Sequence, residues 1–232
     1  MIPCTKKRTF TILCVIAVFG LLIRLVIYNN GSSLLNEQNF QHSPGAPIIV
    51  TVFYEALCPD SKHFIIKQLV PAYQLAAPIM DVLLVPYGKA TTYINGNGSF
   101  RFDCQHGPIE CLANTYHACA IEAINEPHVK LDFVSCMIRD NRLPKEAMQR
   151  CAKQYNIEMD AIQKCSDSPS GTKLLKLNGD ITNSLRPKVS FIPTVTLDGS
   201  QGRQAAVLKN LMAEVCKIAR GTEQSDKICQ SI

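Results

Sequence analysis

The chain has 232 residues, and 47% of them are hydrophobic. This is enough to bury a sizeable core, and it excludes a globally disordered protein. The formal net charge is +5, but residues 1–30 supply +4 of it through Lys6, Lys7, Arg8 and Arg24, with no acidic residue among them. The rest of the chain is therefore nearly neutral, which excludes a broad basic surface for binding nucleic acid.

Residues 1–30 are predicted to be a targeting segment. Basic residues precede an apolar run from Thr9 to Ile27, a pattern that is typical of entry into the secretory pathway. The run nearly reaches the ~20 residues that span a bilayer. A cleaved signal peptide and a retained signal-anchor of the type II kind both remain open. Residues 31–46 are polar and predict a linker. In either case the body of the protein is expected in the lumen or outside the cell.

Two N-glycosylation sequons agree with a lumenal or extracellular location. They are Asn30-Gly31-Ser32 and Asn97-Gly98-Ser99. Asn97 is the better candidate because it lies in a Gly-rich loop, whereas Asn30 lies close to the expected membrane surface.

The first elements of the body predict a βαβ unit. Residues 47–57 are a β-branched and aromatic run that suits a buried strand. Pro59 fits the first turn of a helix, and the residues after it have apolar positions at helical spacing. Residues 81–90 predict a second buried strand, parallel to the first. Residues 91–103 are interpreted as a loop.

The next part, residues 104–185, is predicted to be a helical insertion. Pro, Gly and Asn residues separate its expected helices, which are 108–125, 129–139, 144–155, 158–165 and 170–184. The sheet is then expected to resume with a strand at Val195–Leu197. Asp198-Gly199 predicts a hairpin with a further strand after it. Residues 205–221 predict one amphipathic helix that ends at Gly221.

Cysteine usage indicates a framework of disulfides and one free thiol. Of the eleven cysteines, Cys4 and Cys14 belong to the targeting segment, and the body holds an odd number, nine. In an oxidising compartment most of these should pair. The four disulfides would use Cys104, Cys111, Cys119, Cys136, Cys151, Cys165, Cys216 and Cys229. Cys58 is then the free thiol. A pairing of Cys216 with Cys229 is expected, and the other pairings stay open.

A structural zinc site is the alternative for part of this set. Cysteines and histidines lie close together between residues 104 and 119, but they lack the tight Cys-x-x-Cys pair of structural zinc sites. We therefore expect disulfides here and no metal. The candidate zinc ligands are Cys104, His106, Cys111, His117 and Cys119.

Cys58 lies where a buried strand meets the start of a helix. The unpaired N–H groups and the helix dipole at such a position favour the thiolate, which is the nucleophilic form. Far downstream, Pro193 precedes the strand of the second sheet segment. This arrangement resembles the thioredoxin fold, in which a cis-proline faces the active cysteine and borders the substrate groove. The resemblance gives Pro193 that role.

The stretch CQHGPIECLANTYHAC, residues 104–119, carries the most specific resemblance. It matches the Cys-Gln-His-Gly-x2-Glu-Cys-x2-Asn-x4-Cys signature of the gamma-interferon-inducible lysosomal thiol reductase family. The resemblance continues through YEALCPDS, the VPYG segment, FIPTVTLDG and the paired C-terminal cysteines, and covers roughly residues 47–229. The chain is identified as an invertebrate-type member in which Ser61 occupies the place of the family's second active-site cysteine.

The resemblance implies an α/β protein with a thioredoxin-like fold and a disulfide-rich helical insertion. It implies reduction or isomerisation of disulfides in protein substrates within an acidic endosomal or lysosomal lumen. Cys58 would be the attacking thiol, with Ser61 in support. Since a serine cannot expel the substrate, a small thiol such as cysteine or glutathione would have to do so. No bound cofactor is expected.

Two other interpretations remain open. The groove around Cys58 and Pro193 can belong to a non-catalytic binding protein or holdase, or Cys58 can be an inert thiol in a structural domain. Ser61 can contact the Cys58 thiolate, cap the helix or face solvent. His106 and His117 are expected to be structural or surface residues. The remaining polar residues of the signature are expected to fix the insertion by turns and caps: Gln105, Gly107, Glu110 and Asn114.

Overall fold

The computed structural model describes residues 45–219 and 221–230, together with Arg24. The predicted signal or anchor segment, the Asn30 sequon and residues 31–44 of the predicted linker lie outside the described residues, Arg24 excepted. Among the residues that are described, no helix combines the length and the apolar character needed to cross a membrane.

A three-stranded sheet with strand order β2-β1-β5 lies at the centre of the fold. β1 (Ile48–Tyr54) runs parallel to β2 (Met80–Pro86) and antiparallel to β5 (Thr194–Leu197). β1 is buried or half-buried at every position. This explains its near-continuous apolar sequence, because a central strand has no side facing water. The predicted parallel βαβ unit is present.

The pairing directions bring the C-terminal end of β1 and the N-terminal end of β5 to the same end of the sheet. Tyr54, the last residue of β1, pairs with Pro86, and its neighbour Phe53 pairs with Thr194, the first residue of β5. The chain that leaves β1 and the chain that enters β5 must therefore lie side by side. This places the segment around Cys58 next to the segment around Pro193.

The crossover from β1 to β2 is helical from residue 59 to residue 79. It comprises α1 (Pro59–Phe64), a π-helical turn at Ile65–Leu69, α2 (Val70–Ala76) and a short 3-10 turn. Pro71 lies just after the π turn. Because proline has no N–H to donate to the preceding turn, the wider hydrogen-bonding pattern before it is a natural accommodation.

Five helices form the insertion, close to the predicted bounds: α3 (Pro108–Ala123), α4 (Pro127–Arg139), α5 (Pro144–Tyr155), α6 (Met159–Ser166) and α7 (Pro169–Ser184). A proline stands at the start of four of them, where its missing N–H has no cost. α3 contacts each of the other four helices and is the central element of the insertion.

Residues 91–103 form a β-hairpin, so the prediction of a loop was wrong. β3 (Thr91–Ile94) pairs antiparallel with β4 (Phe100–Asp103) as a separate two-stranded sheet. Most of its residues are exposed, and so the sequence lacks the apolar alternation that marks a half-buried strand.

Two predictions after β5 also need correction. The turn at Asp198-Gly199 leads only to a single bridge between Leu197 and Ser200, and no further strand is present among the described residues. The predicted helix 205–221 is two helices, α8 (Gln204–Lys209) and α9 (Leu211–Ile218), followed by α10 (Glu223–Cys229). Asn210 causes the break, because its side chain accepts a hydrogen bond from the N–H of Ala213 and caps α9.

Candidate active site

Cys58 occupies the N-cap position of α1, directly after the turn that leaves β1. It is the only free cysteine among the described residues. It is buried, with 8% of its surface exposed. The first turn of a helix leaves backbone N–H groups without partners, and these favour an anion at this position.

The loop that enters β5 faces Cys58. The Ile192–Pro193 peptide bond is cis, and the Sγ of Cys58 lies 3.9 Å from the carbonyl oxygen of Ile192. A thiol is a weak donor, so this contact orients the sulfur more than it stabilises the fold. The structure thus brings Cys58 and Pro193 together at the edge of the sheet.

Ser61 lies in the first turn of α1 and is fully buried. A solvent-facing hydroxyl is therefore excluded. Its Oγ accepts a hydrogen bond from the backbone N–H of Glu55 at 3.3 Å. Ser61 thereby ties the helix start to the end of β1, and Cys58 lies between the two tied segments.

The loop before Cys58 is held by side chains of the insertion. The backbone N–H of Ala56 donates to the Oδ1 of Asn114 at 2.8 Å, and the carbonyl of Ala56 accepts from the Nδ2 of Asn141 at 3.4 Å. Both asparagines are buried. Ala56 precedes Cys58 by two residues, so these two bonds fix the backbone that leads to Cys58.

His117 belongs to the same hydrogen-bond network. Its Nε2 lies 2.9 Å from the Nδ2 of Asn141, and its Nδ1 lies 2.9 Å from the hydroxyl of Tyr54. The Asn141 amide nitrogen can only donate, so Nε2 accepts and Nδ1 carries the hydrogen. Burial lowers the pKa of His117 to about 3. The imidazole therefore stays neutral at mildly acidic pH, and the hydrogen-bond directions of the network do not change there.

A second buried polar cluster supports the other side of the loop. Glu55 and Glu110 are both buried, and His106 lies between their carboxylates. The Nδ1 of His106 is 2.6 Å from Glu110 and 3.4 Å from Glu55. The other Glu55 oxygen accepts a hydrogen bond from the backbone N–H of Lys89 at 2.8 Å.

Gly88 makes room for this cluster. Its φ is +64°, and a Cβ at this position would lie 2.1 Å from the Cγ of Glu55. Only glycine satisfies both constraints. This explains the glycine of the VPYG segment.

Glu55, His106 and Glu110 are the one group among the described residues whose side chains are of the right types and close enough together to bind a metal ion. The 2.6 Å between His106 and Glu110 is a hydrogen-bond distance. Two ligands of a tetrahedral zinc ion would lie about 3.4 Å apart. The arrangement fits a shared proton better than a metal.

We expect the wild type to lose stability as pH rises, because of Glu55. The Glu55→Gln variant should not show this loss. Burial, chiefly, and the charge of Glu110 raise the pKa of Glu55, although its hydrogen bond from Lys89 and the charges of His106 and Lys89 oppose this. A raised carboxyl pKa contributes stability below the unfolded value of 4.5 that is lost as pH rises through the folded value. Thermal unfolding from pH 4 to pH 8 measures this.

Glu122→Gln is the matched control, because Glu122 is exposed on α3, the helix that carries Glu110. It should leave the pH profile unchanged. A Glu55→Gln profile that still parallels the wild type would contradict the assignment of this loss to Glu55.

The eight remaining described cysteines form four disulfides. They are Cys104–Cys111, Cys119–Cys165, Cys136–Cys151 and Cys216–Cys229. The last of these is the pairing expected from the sequence. Asn97 is exposed in the turn of the β3–β4 hairpin, where its Oδ1 accepts a hydrogen bond from the N–H of Ser99 at 3.1 Å.

From the sequence, Glu110, Asn114 and His117 are expected to have structural roles within the insertion, but their part in supporting the end of β1 and the loop before Cys58 is not predicted. Glu110, Asn114 and His117 have the spacing i, i+4 and i+7, which puts them on one face of a helix. Three polar residues on one helical face, next to apolar neighbours, indicate a buried polar contact. That signal was available in the sequence, but its target at the end of β1 was not.

A free thiol at a helix start, beside a cis-proline on a thioredoxin-like sheet, defines a thiol oxidoreductase of the thioredoxin-like class. The solved structures agree on the fold: DsbA from Chlamydia trachomatis superposes with a TM-score of 0.53 at 15% identity, covering 80% of this chain and 96% of that one.

The sequence places the chain more narrowly. Residues 49–155 match the family model described as gamma interferon inducible lysosomal thiol reductase. The mouse reductase of this name is 31% identical over 191 residues, covering 82% of this chain and 74% of the relative. A GILT-like protein of Anopheles gambiae is 38% identical over 158 residues, covering 63% and 65%. The chain belongs to the gamma-interferon-inducible lysosomal thiol reductase family.

Proposed function

We propose that this protein reduces or isomerises disulfides of protein substrates through Cys58 alone, and that a small external thiol completes each cycle. The observation that carries the proposal is the free thiol at the start of α1, the only one among the described residues, next to the cis-proline loop. The family implies protein disulfides as substrates. Ser61 has no sulfur with which to resolve an intermediate.

The chemistry balances with two equivalents of thiol. The Cys58 thiolate attacks one sulfur of the substrate disulfide, and the other sulfur leaves as a thiolate. An external thiolate then attacks the Cys58 sulfur and releases the second substrate thiol. A second external thiolate regenerates Cys58 and leaves as the oxidised dimer of the small thiol. If a substrate thiol attacks instead, the outcome is isomerisation, and no net electrons are consumed.

We further propose that the protein works in the lumen of the secretory and endolysosomal pathway. Its four disulfides favour an oxidising compartment. The raised pKa of Glu55 and the neutral state of His117 are compatible with an acidic pH. Residues 1–30 would deliver the chain as a signal peptide or membrane anchor, residues 31–46 would link it, and residues 47–229 would act as the enzyme, glycosylated at Asn97.

The test is reduction of a fluorescent disulfide-bonded peptide by residues 42–232, with and without added cysteine, at pH 5 and pH 7. We expect turnover that requires added thiol and that falls to the uncatalysed rate in Cys58→Ala. The unfolding temperature of Cys58→Ala checks that the variant folds.

Two other results would contradict the proposed enzyme and support another role for Cys58. A wild type that forms one equivalent of mixed disulfide and stops, despite excess thiol, is a binding protein that captures thiol-bearing chains. A wild type that matches Cys58→Ala has an inert thiol.

A further inference from the structure

A cleft of about 360 Å³ lies beside the residues that flank Cys58 in sequence. One wall is formed by Ala56, Leu57 and Pro59, which bracket Cys58 in sequence, and the other by residues 138–142, where α4 ends and the chain turns toward α5. Its size falls within the ~300–1,000 Å³ of sites for small molecules. The reaction proposed above does not by itself use the far wall.

Positive charge dominates the lining of this cleft. Lys62, Arg139 and Arg142 face a single acid, Asp140. Asp140 is only loosely paired, since it lies 3.8 Å from Arg142 and both side chains are exposed. Arg150 adds another cation nearby, because its guanidinium donates to the backbone carbonyl of Asp140 at 3.2 Å. A small carboxylate would be attracted to this position.

Asn141 fixes the far wall of the cleft. It lines the cleft and is only 4% exposed. The orientation of the amide is fixed, because Nδ2 donates to the carbonyl of Ala56 and to His117. Asn141 therefore ties the wall that carries Arg139 and Arg142 to the loop before Cys58.

We infer that this cleft binds the small thiol that resolves the Cys58 mixed disulfide, and that this thiol carries a carboxylate. The carboxylate would lie among Arg139, Arg142 and Lys62. The inference rests on the proposed single-thiol cycle. A cycle without a second cysteine needs an external thiol at every turn, so a site that holds one beside the segment of Cys58 raises its effective concentration there.

The bound thiol acts in one step. Its thiolate attacks the Cys58 sulfur of the mixed disulfide, a new S–S bond forms to Cys58, and the substrate sulfur leaves as a thiolate that takes a proton from solvent. Free cysteine and glutathione both carry the required groups, on frames of different length. Cysteamine has the amino group and the thiol but no carboxylate.

The test starts from a purified mixed disulfide between Cys58 and a fluorescent peptide thiol, in the full body of the protein. The rate of peptide release is measured against the concentration of cysteine, glutathione and cysteamine. We expect release by cysteine or glutathione to saturate and release by cysteamine to stay linear. Arg142→Glu should slow the carboxylate-bearing thiol about tenfold, because it replaces an attraction of surface ion-pair strength with a similar repulsion.

Lys227→Glu is the control with the same change of net charge. Lys227 is exposed on α10, a helix that packs on α9 and lines no part of the cleft. It should leave all three rates unchanged. In Arg142→Glu the cysteamine rate should not fall, and the loss with the carboxylate-bearing thiol should shrink in high salt.

Equal rates for wild type and Arg142→Glu with every thiol, or an equal loss with cysteamine, would overturn the inference. The single-thiol cycle is tested separately by the same data. If no thiol releases the peptide from the wild type, the cycle itself fails, whereas release by all thiols without saturation leaves the cycle intact and removes only the binding site.

Discussion

Replacing Ser61 with cysteine should free substrate release from its dependence on added thiol. Positions 58 and 61 are three residues apart at the start of α1, and side chains at this spacing on a helix are neighbours, with Cβ atoms about 5–6 Å apart. A cysteine at position 61 would therefore lie within reach of the mixed disulfide on Cys58. Its attack is intramolecular, and it yields free substrate and a disulfide between Cys58 and the introduced cysteine.

The expected gain is large, because a positioned group acts at a high effective concentration. At millimolar external thiol we expect release from the preformed mixed disulfide to be at least about a hundredfold faster in Ser61→Cys than in the wild type. The exchanged side chain is a poorer acceptor for the Glu55 N–H, so a loss of stability of about 1 kcal/mol should accompany the change.

Ser61→Ala is the matched control for this experiment. It removes the same hydrogen bond to Glu55 but adds no thiol, so its release should remain proportional to added thiol. Release from Ser61→Cys that still requires added thiol would contradict the proposed neighbourhood of positions 58 and 61. The measurement is quenched-flow chromatography of the released peptide.

The Cys119–Cys165 disulfide should make the largest single contribution to stability among the four. It joins α3 to α6 across 46 residues of sequence, the longest loop closed by a described disulfide. The loop-closure relation predicts a loss of about 4 kcal/mol for Cys119→Ala combined with Cys165→Ala. For a chain of this size that lowers the unfolding temperature by roughly 8–16 °C.

The Cys104–Cys111 pair provides the comparison, because it closes only 7 residues and should contribute about 2.4 kcal/mol by the same relation. Chemical denaturation of both double variants measures the difference. An equal or smaller loss for the Cys119–Cys165 variant would indicate that chain entropy does not set the contribution of this disulfide.

The sequence predicted the elements that bury apolar residues regularly. β1 and β2 are short apolar runs, and the helices of the insertion are bounded by prolines, so their periodicity and their ends could be read directly. The β3–β4 hairpin could not, because both of its faces are largely exposed and its pairing depends on contacts within the hairpin. The break at Asn210 depends on a local side-chain cap that competes with helix continuation.

Some residues of the candidate site could likewise be predicted from the sequence, and others could not. Cys58 could be singled out by counting cysteines, and Pro193 by the resemblance of its surroundings to the thioredoxin fold. The contacts of Asn114, Asn141 and His117 with the loop before Cys58 join residues far apart in sequence. Their geometry follows from how the insertion docks on the sheet, and no local pattern encodes that.

The most direct test of the account is to trap the covalent intermediate. Wild-type protein is mixed with a disulfide-bonded peptide without added thiol, acidified after milliseconds to minutes, and examined by intact mass and peptide mapping. We expect one peptide attached through Cys58, with the four disulfides intact, and its release when thiol is added. Peptide attached to another cysteine, or reduced peptide without any covalent species, would contradict it.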